Sequence, residues 1–395
     1  MEEHRGQDFS ARLLFALTAL FWCAQYSYTH FLNPELEAMG KNAAFMGLVS
    51  GAYGLTQTLL RIPAGLLADR IGRKKPFVVA GCVLTALAGL VFLLFYNPGG
   101  FLAARGLAGV ASASWVSFTV LYGAYFSYAE GPRRISHLNS ANMGGRLVGY
   151  LVILAASPLL GRRFAFVFSL ASGVMSLVMS LGLREAPQAR QGITLKDLLR
   201  VSRDRYLRVC SIVAVLAQWV AFSTYYGFIV NAAKALGAQE AELSLLNIFL
   251  LVPTLVFNYL LTGALMQRYK PRALVFLGFL SGALYCLLVP LATSIGALYA
   301  LQTLAGLSST LTFALLLGQS MRDIPASLRA VAMGFFQAVY GIGMTLGPLA
   351  TGLVMDLGGL GSAFSLLAAF SLLSGLLAYR MMDIPRPPVE EPGRV

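Results

Sequence analysis

The sequence predicts an all-α membrane protein whose twelve transmembrane helices form two pseudo-symmetric six-helix bundles. Three observations lead to this fold class: a strongly apolar composition, twelve long apolar runs, and a repeat between the two halves of the chain. Of the 395 residues, 57% are apolar and 12% are charged, whereas about a quarter of the residues in a soluble domain are charged. Twelve crossings of about 20 residues each use most of the chain. No soluble catalytic domain fits beside them, so we expect no enzyme.

Twelve apolar runs follow one another along the chain, and we number them spans 1 to 12. Most are too long for β-strands and lack the alternation of barrel strands, which predicts helices. The runs are 11–31, 44–67, 76–96, 99–125, 138–160, 164–183, 209–232, 243–266, 273–292, 295–317, 331–355 and 362–380.

The runs divide the chain into an N-terminal half at 1–183, a cytoplasmic linker at 184–208 and a C-terminal half at 209–395. Residues 193–207 of the linker place apolar side chains at helical spacing among basic ones. This spacing predicts a short helix that lies in the membrane interface. An exposed basic linker is the alternative.

The formal net charge of +13 is unevenly distributed between the two sets of connections. One set includes both termini and holds most of the basic residues. The opposite set holds Lys41, Arg162, Arg163 and Lys234. Connections rich in Lys and Arg stay in the cytoplasm, which predicts a protein of the plasma (bacterial cytoplasmic) membrane with both termini inside. The positive charge is then a topology signal, and we expect no nucleic-acid partner.

The sequence contains no pattern typical of a metal, cofactor or nucleophile site. Its four cysteines fall inside apolar runs and form no CxxC pair, which argues against a zinc site or a disulfide framework. No HExxH, GxSxG or P-loop pattern is present. We therefore expect no catalytic residue, no metal and no cofactor.

The two halves of the chain resemble each other at an offset near 198 residues. Three short segments recur in the same order after or within equivalent spans. The pairs are 65–74 with 263–272, 105–109 with 302–306, and 130–132 with 323–325. Repeated six-helix halves place a substrate site near the bilayer midplane, between the halves.

The segment 65–74 resembles the signature loop of the major facilitator superfamily of membrane transporters. The match rests on Gly65, Asp69, Arg70, Gly72, Arg73 and Lys74. In addition, the spacing of Arg105 and Gly109 resembles the superfamily's motif in span 4. The resemblance implies a secondary transporter that moves a small-molecule substrate by alternating access, expected as a monomer in contact with membrane lipid.

The resemblance also gives the signature loop a gating role. We interpret Gly65 and Gly72 as bracketing a tight turn, where a missing Cβ permits positive φ and close approach of helices. Family analogy places Asp69 against the first residues of span 11, at 330–333. A carboxylate at a helix N-terminus is favoured by about 0.3–1 kcal/mol, and by about 2 kcal/mol when partly buried.

A second contact of the gate is predicted between Glu130, at the end of span 4, and either Arg70 or Arg73. Together these contacts would hold the two halves shut on the cytoplasmic side. The repeat has Gln267 in place of Asp69, so the gate is predicted to be asymmetric. A loop that serves only as a topology anchor is the alternative.

Polar side chains are concentrated in eight of the twelve spans, whereas spans 3, 6, 9 and 12 carry few. A polar side chain that faces lipid is costly, so the eight spans are predicted to surround a cavity and the other four to be peripheral. The predicted cavity residues are Trp22, Gln25, Tyr26, Tyr53, Gln57, Arg105, Trp115, Asn142, Arg146, Tyr150, Gln218, Trp219, Tyr225, Tyr226, Asn247, Gln302, Gln337 and Tyr340. Helix packing through interhelical hydrogen bonds is the alternative role of each.

Two arginines lie inside the predicted membrane region, Arg105 in span 4 and Arg146 in span 5, and no Asp or Glu lies deep in any span. One interpretation is that they bind an anionic group, which a guanidinium can grip with two hydrogen bonds. The alternative is that Arg146 extends to the cytoplasm and Arg105 binds backbone carbonyls. Arg61, near the cytoplasmic end of span 2, is expected to extend to the cytoplasm.

Proton coupling lacks an obvious carrier in this sequence. Proton-driven relatives commonly place a carboxylate in span 1, where this chain has Gln25 and Tyr26. Coupling would then use Asp69, Glu35, His30, which titrates near neutrality, or a proton on the substrate.

The favoured function is export of amphipathic drug-like compounds or metabolites. Short loops and aromatic cavity residues suit it. So does the Gly343-x-x-x-Gly347-Pro348 segment of span 11, which resembles a motif that exporting members carry in span 5. The alternative is an uptake carrier or facilitator for a small organic anion, favoured by Arg105 and Arg146. A non-transporting membrane receptor is a remote alternative.

The gating hypothesis predicts the effect of Asp69→Asn. This variant should reach the membrane in normal amounts but transport more slowly, because the carboxylate that holds the closed state is gone. Transport rates in vesicles with matched protein amounts would measure the effect. An unchanged rate would contradict the gating role.

Overall fold

The computed structural model describes residues 2–126, 131–185, 195–325 and 328–383, and every regular element in these ranges is helical. The α-helices are Glu2–Tyr26, Leu32–Ala38, Ala43–Ile71, Lys75–Leu94, Pro98–Ala113, Trp115–Ala124, Gly131–Leu160, Arg163–Leu181, Leu195–Ser202, Arg205–Ser223, Ile229–Ala235, Glu240–Arg268, Pro271–Leu288, Ile295–Ser309, Leu315–Ser320 and Arg329–Met381. The predicted all-α fold class is confirmed.

Ten segments of the described chain are long and apolar enough to cross a membrane. One of them, Val331–Met381, contains the last two predicted runs, and Gly359 interrupts its helical geometry with a φ of 75°. Helix Ala43–Ile71 contains the second predicted run but is not among the ten, and it carries three charged side chains. All twelve predicted runs are helical, while the number of crossings stays a prediction.

Several spans depart from a continuous α-helix. Span 1 contains a 3₁₀ turn at Thr29–Phe31, and the two helices of span 4 meet at Ser114. Spans 7 and 10 contain π-helical segments at Thr224–Phe228 and Thr310–Ala314. Apolar runs do not reveal such segments, which are frequent at functional sites.

Helices begin where a side chain can accept a hydrogen bond from the first turn. Asn42, Asn97, Asp204 and Ser294 each accept a bond from the backbone N–H three residues later. These short polar residues satisfy N–H groups that have no partner within the helix. The loops between spans can therefore be short without leaving the helix ends unsatisfied.

The same pairs of helices pack together in each half of the chain. In the first half, span 1 packs on span 5, span 2 on span 4, and span 3 on spans 4 and 6. In the second half, span 7 packs on span 11, span 8 on span 10, and span 9 on spans 10 and 12. Spans 2 and 11, and spans 5 and 8, join the two halves. The repeat in the sequence thus corresponds to a repeat in packing.

Spans 2 and 11 approach each other so closely that glycines are needed on both. A Cβ on Gly47 would lie 2.2 Å from the carbonyl oxygen of Pro348, and one on Gly51 would lie 2.5 Å from that of Thr345. A Cβ on Gly352 would lie 2.2 Å from the carbonyl oxygen of Ala43. Small residues allow this approach in membrane helices, as predicted for span 11.

Replacing Gly47 with alanine tests this packing. Gly47→Ala should lower the free energy of unfolding by about 1–3 kcal/mol, because the new methyl group forces the two spans apart. Gly65→Ala is the matched control: it lies in the same helix and its Cβ would meet no atom within 4 Å. Thermal unfolding in detergent measures both. Equal midpoints for the two variants would contradict the close contact.

Candidate binding cavity

A cavity with about 630 Å³ of empty space lies between the two halves. Spans 1, 2 and 4 of the first half and spans 7 and 8 of the second half supply its walls. The lining residues are Gln25, Tyr26, Thr29, His30, Leu32, Asn33, Ser50, Tyr53, Arg105, Phe222, Tyr225, Tyr226, Gly227, Val230 and Asn247. Most of its surface is therefore aromatic or amide in character, with one permanent charge.

Arg105 supplies that charge from span 4. Its side chain is buried, and its guanidinium carbon lies 4.5 Å from the centre of the Tyr53 ring. One Nη donates a hydrogen bond to the hydroxyl of Tyr28 at 3.2 Å, and its Nε has no hydrogen-bond partner among the described residues. The backbone-carbonyl alternative differs from this arrangement, in which aromatic rings replace carbonyl oxygens as partners.

Arg146 lies behind the cavity wall, between the two halves. Its guanidinium carbon lies 4.0 Å from the ring centre of Tyr26 and 5.6 Å from that of Tyr226. It also donates a long hydrogen bond, 3.4 Å, to the Tyr226 hydroxyl. Both tyrosines line the cavity. Arg146 therefore stacks on aromatic rings of spans 1 and 7 and adds positive potential behind them.

Arg61 does not extend out of span 2 as expected, but is buried at 3% exposure. One Nη donates to Gln337 Oε1 at 2.5 Å and to the Tyr340 hydroxyl at 3.4 Å, both in span 11. The other donates to the carbonyl oxygen of Ser112 at 3.0 Å. Its three partners lie deeper in the protein, and they satisfy the guanidinium without water. Arg61 thereby links span 2 to both span 4 and span 11.

Residues in the first part of span 1 and in span 8 provide polar contacts across the cavity. Gln25 donates to the Thr85 hydroxyl at 3.1 Å and to the carbonyl oxygen of Ala108 at 3.3 Å. His30 Nε2 lies 2.9 Å from the Ser244 hydroxyl of the other half, and His30 Nδ1 has no partner in the described ranges. Sequence analysis considered His30 for proton coupling and did not include it among cavity residues.

The structure brings seven of the predicted cavity residues to this cavity: Gln25, Tyr26, Tyr53, Arg105, Tyr225, Tyr226 and Asn247. The remaining predicted residues do not line it: Trp22, Gln57, Trp115, Asn142, Arg146, Tyr150, Gln218, Trp219, Gln302, Gln337 and Tyr340. Sequence analysis missed Asn33, Ser50 and Phe222, which also line it. Asn33 follows the apolar run of span 1, so an amide beyond a run's end is a usable signal.

Two of the non-lining residues have clear packing roles instead. Trp219 stacks on Phe370 of span 12, with ring centres 5.3 Å apart, and faces away from the cavity. Gln302 is fully buried and donates to the carbonyl oxygen of Leu246 at 3.1 Å, which joins spans 10 and 8. Trp22 and Trp115 contact each other edge to face within the first half. Helical spacing alone could not separate these faces from the cavity face.

The signature loop lies at the end of the molecule that carries residues 70–75, which we call the basic end; the opposite end is the far end. Gly72 adopts φ 71° and ends the helix of span 2, as expected. Gly65 instead lies within the helix and meets no close neighbour, so it does not bracket the turn. Asp69 forms an ion pair with Lys74. Glu130 lies outside the described residues.

Glu185 holds the loop from the end of span 6, and sequence analysis did not identify it. Its two carboxylate oxygens accept hydrogen bonds from the backbone N–H groups of Lys74 and Lys75, at 2.8 and 3.0 Å. A carboxylate is favoured at the first N–H groups of a helix, and span 3 begins here. The loop is therefore anchored within the first half of the chain.

A second cavity lies beside the loop, between the basic ends of spans 2 and 11. It has about 450 Å³ of empty space, and its lining includes Asp69, Leu198, Val331, Gly334 and Phe335. Asp69 therefore faces the start of span 11 across a gap. Leu198 belongs to helix Leu195–Ser202, inside the linker segment that was predicted to be helical.

The far ends of the two halves are joined by polar contacts. Arg162 Nε lies 2.9 Å from a carboxylate oxygen of Glu240 in the second half, and its Nη1 lies 3.3 Å from Glu35 in the first. The Tyr96 hydroxyl donates to the other oxygen of Glu35 at 2.5 Å. Burial, together with this bond, raises the pKa of Tyr96. Arg162 thus bridges two carboxylates from different halves.

Comparison with known proteins identifies the family. Residues 14–231 and 211–395 match the sequence profile of the Major Facilitator Superfamily. The chain belongs to this superfamily. It is 23% identical over 368 residues to an uncharacterized MFS-type transporter of Methanocaldococcus jannaschii, covering 88% of this chain and 91% of the relative. It is 26% identical over 357 residues to a gentisate transporter of Corynebacterium glutamicum, covering 85% and 76%.

Solved superfamily structures share the fold. A mutant of the nucleoside transporter NupG superposes with a TM-score of 0.78 at 14% identity, covering 95% of this chain and 100% of NupG. The Major Facilitator Superfamily resemblance read from the signature loop is therefore confirmed. The chain is an integral membrane transporter for a small molecule and not an enzyme.

The buried contact between Arg61 and Gln337 generates a stability prediction for this superfamily member. Gln337→Leu should lower the free energy of unfolding by about 1–3 kcal/mol, because it leaves a buried guanidinium N–H without its acceptor. Adding Arg61→Met should recover part of that loss, since removing both partners leaves no unpaired group. Thermal unfolding of the two single variants and the double variant measures the coupling. Strictly additive losses would contradict it.

Proposed function

We propose that this transporter carries a small organic anion with an apolar or aromatic body, by alternating access of the cavity between the two halves. One observation carries the proposal: Arg105 is the charged side chain among the cavity's lining residues, and its Nε has no partner in the described chain. This was the alternative at the sequence level, and the cavity geometry favours it over export of neutral or cationic compounds.

The charge of Arg105 determines which ligands the cavity favours. A buried guanidinium without a counter-ion is costly, and an anion that supplies one removes that cost. Carboxylate–guanidinium hydrogen bonds are also about twice as strong as neutral ones. A lipophilic cation would instead meet repulsion from Arg105 and from Arg146 behind Tyr26. The net effect favours a monoanion or dianion.

The remaining walls suit the body of such a ligand. Tyr26, Tyr53, Tyr225, Tyr226 and Phe222 present ring faces and edges to the cavity. Aromatic walls with a few convergent polar groups are typical of sites for ligands that are largely apolar. The similarity to a gentisate transporter over most of both chains supports an aromatic carboxylate as the ligand class.

The remaining parts of the proposal concern orientation and gating. The basic end is proposed to face the cytoplasm, with both termini inside, because the basic connections are concentrated there. The signature loop, with Asp69, Arg70, Arg73 and Lys74, is proposed to act as the gate at this end. We propose a monomer in the cytoplasmic membrane, with possible proton coupling decided by flux measurements.

Export of amphipathic drug-like compounds is the second candidate. The aromatic lining of the cavity favours it, as does the close packing of span 11 through Gly341, Gly347 and Gly352. The two candidates differ in the sign of charge that the cavity accepts. Ligand binding therefore separates them without knowledge of the natural substrate.

The anion proposal predicts the binding of simple aromatic probes. Benzoate should raise the thermal unfolding midpoint of the purified protein more than benzamide does, because the amide lacks the negative charge. Arg105→Gln should weaken benzoate binding by about tenfold or more, as expected for the loss of a charge-assisted hydrogen bond of about 1.5–3 kcal/mol. Calorimetric titration gives the dissociation constants.

Arg380→Gln serves as the matched control, since it removes the same charge from an exposed position at the end of span 12. It should bind benzoate as the parent protein does. Binding of tetraphenylphosphonium, a lipophilic cation, without binding of benzoate would refute the anion proposal and support the second candidate. Benzoate flux into liposomes, with and without a pH gradient, then tests proton coupling.

A further inference from the structure

Spans 2 and 11 run antiparallel, and each has an aspartate near its C-terminal end. Asp69 lies 26 residues after Ala43, where the helix of span 2 begins, and Asp356 lies 26 residues after Ala330 at the start of span 11. At 1.5 Å per residue, both distances are about 39 Å. Each aspartate can therefore reach the beginning of the other helix.

At the far end, Asp356 makes this contact. Its two carboxylate oxygens accept hydrogen bonds from the backbone N–H groups of Ala43 and Ala44, at 2.8 and 3.0 Å. These are the first residues of span 2, and their N–H groups have no partner within the helix. Asp356 belongs to the second half of the chain and Ala43 to the first. The contact is thus a charged bond between the halves, which sequence analysis did not identify.

The helix register places Asp69 at the corresponding point of the basic end. Thr58 and Gly341 face each other near the middle of the pair: a Cβ on Gly341 would lie 1.9 Å from the Thr58 hydroxyl oxygen. From this level, Ala43 and Asp356 are each 15 residues away towards the far end, and Asp69 and Ala330 are each 11 residues away towards the basic end. Asp69 is therefore level with Ala330.

The contact at the basic end is nevertheless open. Asp69 pairs with Lys74 of its own loop, and a cavity separates it from Val331 and Gly334 of span 11. The far-end contact is closed in the same structure. The two ends of one helix pair are thus in opposite states.

We propose that Asp356 is the far-end gate of this transporter, and that its bond to the start of span 2 alternates with the bond of Asp69 to the start of span 11. Each bond uses the same chemistry, a carboxylate at the N-terminus of a helix from the other half. The tight contact around Gly51, Gly54 and Gly341 lies between them. Rocking of the halves about this contact closes one end as it separates the other.

The sequence pattern is consistent with this role. An aspartate near the C-terminal end of its own helix is disfavoured by that helix's dipole, so its placement needs another partner. Antiparallel pairing supplies one, because the N-terminus of the partner helix lies at the same level. The inference rests on the alternating-access part of the proposed function and does not depend on the anionic substrate.

Accessibility of introduced cysteines tests the gate. Met46→Cys reports on the far end, where Met46 is buried against Asn231 of the other half. Val116→Cys reports on the basic end, where Val116 lines the second cavity. The four natural cysteines are buried, and labelling of the parent chain by the same charged thiol reagent gives the background rate in detergent.

Asp356→Asn should raise the labelling rate at Met46→Cys at least fivefold and lower the rate at Val116→Cys, because the far end is released. Asp69→Asn, combined with Asp356→Asn, should return both rates towards those of the parent. Asp383→Asn is the matched control: it removes a carboxylate that pairs with Arg272 at the end of span 12, within one half. It should leave both rates unchanged.

Unchanged labelling at Met46→Cys in Asp356→Asn would overturn the proposal. A rise at both reporters would also overturn it, since that result indicates general loosening; thermal unfolding of the same samples confirms or excludes it. If neither aspartate variant moves the two reporters in opposite directions, alternating access itself is contradicted. Benzoate binding by the same samples is an independent readout, so failure of the gate is distinguishable from failure of the anion proposal.

Discussion

The close antiparallel packing of spans 2 and 11 is the constraint on which the rest of the structure depends. Glycines on both helices bring their backbones into contact and leave no room for a Cβ at Gly47, Gly51 or Gly352. In lipid, such packing is a main source of helix association, because no hydrophobic force separates lipid from protein. The contact joins the two halves along one side of the cavity, and it sets the level of the groups at both ends.

The buried arginines show how the protein accommodates charge where water is scarce. Arg61 uses an amide, a hydroxyl and a carbonyl oxygen, whereas Arg105 and Arg146 stack on tyrosine rings. Only the first arrangement satisfies most of the guanidinium with hydrogen-bond acceptors. The other two leave positive potential in or beside the cavity, since a ring face attracts a cation but cannot replace a counter-ion. Structure and binding are therefore divided between arginines of different surroundings.

Much of the fold could be predicted because membrane helices leave a strong signal in sequence. The twelve apolar runs, the repeat and the signature loop each predicted features that the structure or the family comparison confirms. The cavity was predicted less completely. Helical spacing identified Arg105 and Tyr53 but also Trp219, which packs on span 12, because a helix has several polar faces and spacing does not say which neighbour each one meets. The outward extension predicted for Arg61 was wrong for the same reason.

By itself, the sequence determined the helical class, the membrane location and the superfamily, since these depend on composition, run length and a local motif. The tertiary structure alone decided which charges meet. Asp356 and Ala43 are separated by more than 300 residues, and Arg61 and Gln337 by 276. No local pattern encodes such pairs, because their energies depend on the distance between helices from opposite halves. Gating and ligand selection depend on these long-range contacts.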